Sequence, residues 1–167
     1  MTFHAEWNRL WRLAASTGDE PPYAFERIGL LLEDPGAPGD WDYPATPVDA
    51  VTFASTGGDG VHFSLVPQGP AVVMTVPRCF GNTTHVLAES LPEFLALGCR
   101  TGYFSLERLA YGWGRADQLA DLRLSPPSDD PLLKSIVEEF GVSPWPDVEG
   151  RLAALEAAHR AHIRTRA

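Results

Sequence analysis

The sequence predicts an α+β fold in which a central, mainly antiparallel sheet over about residues 50–88 has helices before and after it. Three observations predict this class. Apolar residues recur at helical spacing near the N-terminus, alternate at strand spacing in the middle of the chain, and return to helical spacing after residue 90. Because the strands form one block and do not alternate with helices, an antiparallel sheet is favoured over a parallel one.

The N-terminal helix is indicated by five apolar residues that share one helical face: Phe3, Trp7, Leu10, Trp11 and Ala14. Gly18 is suited to the residue after its end, and Pro21 prevents its continuation. Residues 23–33 carry the apolar residues Tyr23, Phe25, Ile28 and Leu30 to Leu32 and fit either a short helix or a strand. Residues 34–49 contain four prolines and predict a long loop.

The strand block begins with a hairpin. Alternation at 51–54 and again at 61–65 brackets the glycine-rich segment 55–60, in which Gly57 and Gly60 are predicted turn positions. Residues 71–76 are apolar almost throughout and predict a central strand buried on both faces, and residues 83–88 predict a weaker fourth strand. The predicted core side chains of this block are Phe53, Phe63, Val73 and Met74.

The helices after the strands are indicated mainly by their start signals. Ser90 and Glu93 form a capping box, Asp130 precedes a proline at the first helical position, and the last helix is predicted to begin near Asp147. Short helical turns are predicted between residues 106 and 122. Cys99 falls on an apolar helix face and is predicted to be a small buried residue.

The chain has 167 residues, which suits a single domain over 1–167. Its 13 basic and 22 acidic side chains give a net charge of −9, which opposes binding to nucleic acid or anionic lipid and favours a basic protein partner. The alternative is that this charge only maintains solubility.

Neither a secretory leader nor a membrane span is recognisable, so we expect a cytoplasmic protein.

Two segments could carry function. The loop residues Asp40, Trp41, Asp42 and Tyr43 place aromatic rings between acids, which suits an exposed protein-binding loop; alternatively, Trp41 folds back over the edge of the sheet. The glycine-rich segment 55–60 lacks the lysine and the following helix of a phosphate-binding loop, so a turn is favoured, with the Asp59 carboxylate bonded to its own backbone.

Two alternatives to a binding protein remain, a regulatory scaffold domain and an enzyme. The enzyme would be a small hydrolase that uses Asp59, His62 or Cys79, with His62 as a general base. No nucleophile motif links these residues. His159 and His162 lie three positions apart on one predicted helix, but surface histidines are favoured over a metal site there. We therefore expect no cofactor, no metal and no catalytic residue.

Residues 51–63, which read Val-Thr-Phe-Ala-Ser-Thr-Gly-Gly-Asp-Gly-Val-His-Phe, resemble the sheet hairpin of bacterial proteins in the SUKH superfamily, relatives of the fungal cell-wall glucan synthesis regulator. The similarity continues through 70–77 and 91–95 and covers about residues 48–99. The resemblance implies an α+β fold, with a single SUKH-like domain and a helical C-terminal extension from about residue 101. It also implies a non-enzymatic immunity protein that binds and neutralises a toxin.

The site expected from the residues themselves is a surface for a protein partner, and a basic toxin domain would fit both the charge and the resemblance. Its predicted members are the acidic and aromatic loop residues together with two residues of the hairpin: Asp40, Trp41, Asp42, Tyr43, Asp59 and His62.

Overall fold

A computed structural model describes residues 2–166, and within them a five-stranded antiparallel sheet is surrounded by helices. The predicted α+β class is therefore confirmed. The strands follow one another in chain order: β1 (Leu31–Leu32), β2 (Val51–Ser55), β3 (His62–Val66), β4 (Ala71–Thr75) and β5 (Thr84–Ala88). The α-helices are α1 (Phe3–Ala15), α2 (Leu91–Leu97), α3 (Arg115–Leu124), α4 (Pro131–Phe140) and α5 (Val148–His159). Shorter 3-10 helices span Pro21–Tyr23, Glu26–Ile28, Phe104–Ala110 and Arg160–His162.

The segment 23–33, which fitted a helix or a strand equally well, forms both. A 3-10 turn ends at Gly29, whose backbone is left-handed with a φ of 83°, and the chain then enters β1, which pairs with β2. The sheet thus begins before residue 50, outside the predicted boundary. A strand of two residues is too short to show alternation in the sequence, so only its pairing with β2 reveals it.

The rings of Phe53 and Phe63 lie on the same side of the sheet, as the alternation of the two strands predicts, and a bulge in β2 offsets their pairing. Thr52 pairs with Ser64 while Ala54 pairs with Phe63, so Phe53 is an extra residue between them. Both phenylalanine rings contact Phe94 of α2. The predicted core residues of the sheet are confirmed, because Phe53, Phe63, Val73 and Met74 have no exposed surface.

The second face of the sheet is partly polar, although it is equally buried. A row of directly opposed residues crosses it from β2 to β5, made of Ser55, His62, Thr75 and Thr84. The loop 34–49 and the C-terminal segment cover this face, with Ala50 and Ile163 packed against its apolar part. Side chains alternate between the two faces along β3, so those that do not face α2, such as His62, face the loop. The loop therefore packs against these side chains.

The predicted helix starts are confirmed by their capping contacts. The Ser90 hydroxyl accepts a hydrogen bond from the Glu93 N–H, and the carboxylates of Asp130 and Asp147 cap α4 and α5 in the same way. Cys99 is buried, as expected. The helices within residues 2–166 are all too short or too polar to cross a lipid bilayer.

Helix α5 lies beside β5, the last strand of the sheet, and binds its outer edge. The Val86 N–H donates to Glu156 Oε1 at 2.8 Å, and the Arg160 guanidinium donates to the Thr84 carbonyl oxygen at 2.6 Å. Glu156 and Arg160 are themselves an ion pair one helical turn apart. This pair therefore supplies the acceptor and the donor that a further strand would otherwise offer to β5.

Candidate protein-binding surface

The predicted binding loop packs its two aromatic rings onto the sheet. The rings of Trp41 and Tyr43 stack on the His62 imidazole, with centroids 4.9 and 5.6 Å away, and the Trp41 Nε1–H donates to Glu33 Oε1 at 2.9 Å. Trp41 thus folds back onto the sheet, as the alternative interpretation proposed, but it covers His62 of the middle strand and not an edge of the sheet. Tyr43 keeps 38% of its surface exposed and remains able to contact a partner.

His62 is completely buried beneath these rings. Its Nδ1 lies 2.7 Å from the Gly60 carbonyl oxygen, which can only accept, so Nδ1 carries the proton and Nε2 accepts from the Thr46 hydroxyl at 3.0 Å. Burial lowers the pKa of His62, which keeps the ring neutral at pH 7. A side chain without exposed surface cannot touch a partner itself, so within the predicted site His62 supports Trp41 and Tyr43.

The three predicted site carboxylates differ in their contacts. Asp42 forms an ion pair with Arg166, while the exposed Asp40 has no cationic partner among residues 2–166. Asp59 lies in the β2–β3 turn, where its carboxylate pairs with Arg78 at 3.2 Å. The prediction that Asp59 bonds its own backbone is therefore wrong. Its backbone is left-handed, with a φ of 53°, and its carboxylate reaches the neighbouring β4–β5 loop.

The side chains proposed for a hydrolase bond to other groups. The Cys79 thiol donates to the Ala110 carbonyl oxygen at 3.2 Å, the Asp59 carboxylate pairs with Arg78, and both nitrogens of His62 are already in use. Within residues 2–166 no hydrogen bond joins any two of the three. Nor is there, in that part of the chain, a cluster of three or more His, Cys, Asp or Glu side chains that could hold a metal ion.

The β2–β3 turn lies between two exposed rings. Gly57 and Gly60 have φ values of 81° and 74°, which confirms them as turn positions that favour glycine. A Cβ atom at Gly60 would lie 2.7 Å from the Tyr43 hydroxyl, and one at Gly58 would lie 3.6 Å from the Phe104 ring. The turn therefore brings the predicted loop residue Tyr43 and the 3-10 helix of Phe104 to the same end of the sheet.

Further aromatic and acidic residues extend this end of the molecule. The ring of Trp113 stacks on the ring of Tyr111, with centroids 5.4 Å apart. The pKa of Tyr111 is raised, mainly by burial and further by the negative charges of Glu107 and Asp59. Phe80 projects from the loop that also carries Arg78, the ion-pair partner of Asp59. We call these residues the hairpin-end surface: Tyr43, Asp59, Phe80, Phe104, Glu107, Tyr111 and Trp113.

Five members of this surface were missed by sequence reasoning: Phe80, Phe104, Glu107, Tyr111 and Trp113. Phe80 and Trp113 are 92% and 74% exposed, and each is followed directly by glycine in a segment without apolar periodicity. An aromatic residue in such a segment has no helix or strand face to bury it, and this signal could have found both. Phe104 and Glu107 lie in a 3-10 helix whose orientation depends on long-range packing.

Glu107 is the half-buried carboxylate of the hairpin-end surface. Its pKa is raised, first because burial disfavours the charged form and then because Asp59 repels it. Arg78 pairs with Asp59 and the adjacent Arg108 with Asp117 and Asp121, and no cationic side chain within residues 2–166 forms an ion pair with Glu107. The surface therefore combines exposed aromatic rings with an uncompensated negative charge.

A second feature beside the predicted loop is an acidic cleft of about 360 Å³. Asp40, Trp41 and Asp49 line it, together with Arg166 from the C-terminal segment. Asp40 and Asp49 form no ion pair with any described residue. The cleft consequently contains more negative than positive charge.

The comparisons with known proteins add no relative to this description. A scan against protein-family models and searches of curated proteins and of solved structures each found no significant match.

Proposed function

We propose that this chain is a non-enzymatic protein-binding domain and that the hairpin-end surface binds its partner. The observation that carries the proposal is the distribution of exposed aromatic rings. Of the five aromatic side chains exposed among residues 2–166, four belong to this surface: Tyr43, Phe80, Phe104 and Trp113. Tyrosine, tryptophan and phenylalanine are enriched at protein interfaces, where they provide large contact areas at a small cost in side-chain entropy.

The partner we propose is a basic protein. The chain carries a net charge of −9, and Asp59 and Glu107 add negative charge among the exposed rings, where Arg78 pairs with Asp59. Complementary charge accelerates association and selects between partners more than it raises affinity. Lysine and arginine side chains of a partner could also lie over the Trp113 ring, which favours cations at its face.

The resemblance to the SUKH superfamily supports toxin neutralisation as the biological role. In this proposal the partner is a basic toxin domain, and binding blocks its active surface. Cys79 and Cys99 are both free thiols, which agrees with action in the reducing cytoplasm.

The test is capture of a partner from the source organism with purified wild type, with Phe104→Ala/Trp113→Ala, and with the control Tyr23→Ala. Tyr23 is a comparably exposed ring outside the surface. We expect wild type and the control to capture the same basic protein, and the double variant to lose most of it while retaining its unfolding midpoint in urea. The captured protein should be toxic when expressed alone and harmless with wild type.

Two results would contradict the proposal. Equal capture by the double variant would remove the hairpin-end surface from the interface. A captured protein whose toxicity is unaffected by the chain would remove the immunity role while leaving protein binding in place.

A further inference from the structure

The C-terminal segment lies along the acidic loop as an added strand would. The Val48 N–H donates to the Arg164 carbonyl oxygen at 2.7 Å, and the Arg166 N–H donates to the Pro44 carbonyl oxygen at 3.2 Å. Between these two bonds, Pro47 and Thr165 form an antiparallel bridge. We call residues 164–166 the tail segment and residues 44–48 the loop edge. The loop edge therefore already binds an extended backbone through main-chain hydrogen bonds.

The side chains of the tail segment are basic, and the groups around the loop edge are acidic. Arg166 forms its ion pair with Asp42, and Arg164 donates to Gln68 Oε1 at 3.4 Å. Arg166 also borders the cleft that Asp40 and Asp49 line. Three carboxylates thus lie around a single guanidinium. The charge of this site is only partly neutralised by the chain's own tail.

We propose that the loop edge is a docking groove for an extended basic segment of a protein partner, and that the tail segment occupies it until the partner displaces it. This inference rests on the proposed function, because it assigns a second part of the same basic partner to a second surface. Main-chain hydrogen bonds along an exposed edge accept any extended peptide, and the flanking side chains select among them. Here the carboxylates of Asp40, Asp42 and Asp49 select arginine or lysine.

The tail segment is attached through a solvent-exposed ion pair and a short stretch of strand-like pairing. The ion pair between Arg166 and Asp42 is exposed on both sides, and exposed pairs contribute about 0–1 kcal/mol. The tail segment pairs with the loop edge over a single bridge, Pro47 with Thr165, whereas each of the three long strand pairs of the sheet spans at least four residue pairs. A segment with a second well-placed basic residue could also reach Asp40 or Asp49, which the tail leaves unpaired.

A peptide with the sequence of residues 160–167 serves as the probe, labelled with fluorescein for anisotropy titrations against the full-length protein. A second peptide has glutamate in place of the arginines at positions 164 and 166. The proteins are wild type, the tail variant Arg164→Glu/Arg166→Glu, and the control Arg12→Glu/Arg123→Glu. The control carries the same change in net charge on exposed residues of α1 and α3, outside the groove.

We expect the tail variant to bind the basic peptide at least about tenfold more tightly than wild type or the control, because its own tail no longer competes for the groove. Adding Asp42→Asn to the tail variant should weaken this binding, and the glutamate peptide should not bind. Equal affinity of the tail variant and the control would show general charge attraction and overturn the proposal. The absence of peptide binding by the tail variant would overturn it as well.

This experiment is independent of the hairpin-end surface. If the peptide fails to bind while Phe104→Ala/Trp113→Ala abolishes partner capture, the docking groove is refuted and the proposed function stands. If the peptide binds as expected while the double variant still captures the partner, the groove stands and the hairpin-end surface is refuted.

Discussion

The ring of Phe63 lies 4.8 Å, centroid to centroid, from the ring of Phe94, and this contact joins the middle strand of the sheet to α2. Phe53 meets the same ring edge-on at 5.5 Å, and Tyr103 approaches it at 5.3 Å. Such tilted and edge-on arrangements are the favoured geometries of aromatic pairs. Phe94 is therefore the centre of an aromatic cluster on which the sheet and the helical layer both depend.

Phe63→Ala should lower the free energy of unfolding by about 3–5 kcal/mol, because it removes a fully buried ring and leaves a cavity beside Phe94. Asp59→Ala removes only an exposed ion pair with Arg78 and should cost about 1 kcal/mol or less. Urea unfolding of the two variants measures the difference. If Asp59→Ala were the more damaging change, the turn would have a structural role beyond its pairing with Arg78.

Gly29→Ala should be much more damaging than Gly141→Ala, although both glycines have left-handed backbones with φ values of 83° and 61°. A left-handed alanine costs about 1–2 kcal/mol at either position. At Gly29 the new Cβ would also lie 2.2 Å from the Phe104 backbone nitrogen, whereas nothing lies within 4 Å of it at Gly141. Urea unfolding should therefore separate the two variants, and equal losses would mean that the Phe104 backbone shifts freely.

The free energy of unfolding should fall as the pH drops below about 6.5, the ordinary pKa of histidine. Burial lowers the pKa values of His62 and His85 in the folded chain. Between the lowered pKa and 6.5 the unfolded chain binds more protons, so unfolding is favoured by acid. His62→Gln should reduce the slope of stability against pH in urea unfolding at pH 5–7. An unchanged slope would assign the whole effect to other groups.

Replacing the ion pair between Glu156 of α5 and Arg160, the residue that follows this helix, should expose the edge of β5. Glu156→Ala/Arg160→Ala leaves the Val86 N–H and the Thr84 carbonyl without these partners, and an open strand edge promotes pairing between molecules. Sedimentation velocity at increasing concentration should then detect association that wild type lacks.

The matched control for this pair is Arg123→Ala/Glu149→Ala, which also removes one charge of each sign, from exposed positions. It should sediment as wild type does. If the α5 variant also remained unassociated at all concentrations, the Glu156–Arg160 pair would not be what protects the edge.

Much of the fold could be predicted from the sequence because its signals are local. The capping residues Ser90, Asp130 and Asp147 act on backbone groups two or three positions away, so they mark helix starts without any tertiary contact. Alternation likewise predicted the buried faces at Phe53 and Phe63. The bulge at Phe53 depends on how β2 pairs with β3, and no local pattern encodes it.

The sequence by itself determined the class of fold, the hairpin, the helix starts and the negative charge. The tertiary structure alone decided that Trp41 covers His62, that Arg78 pairs with Asp59, and that Arg166 reaches Asp42 across 124 positions of the chain. Contacts over such distances depend on how every intervening element packs. Local propensities do not encode that packing. The sequence therefore named Asp40, Asp42, Tyr43 and Asp59 as binding residues but could not show which other residues surround them.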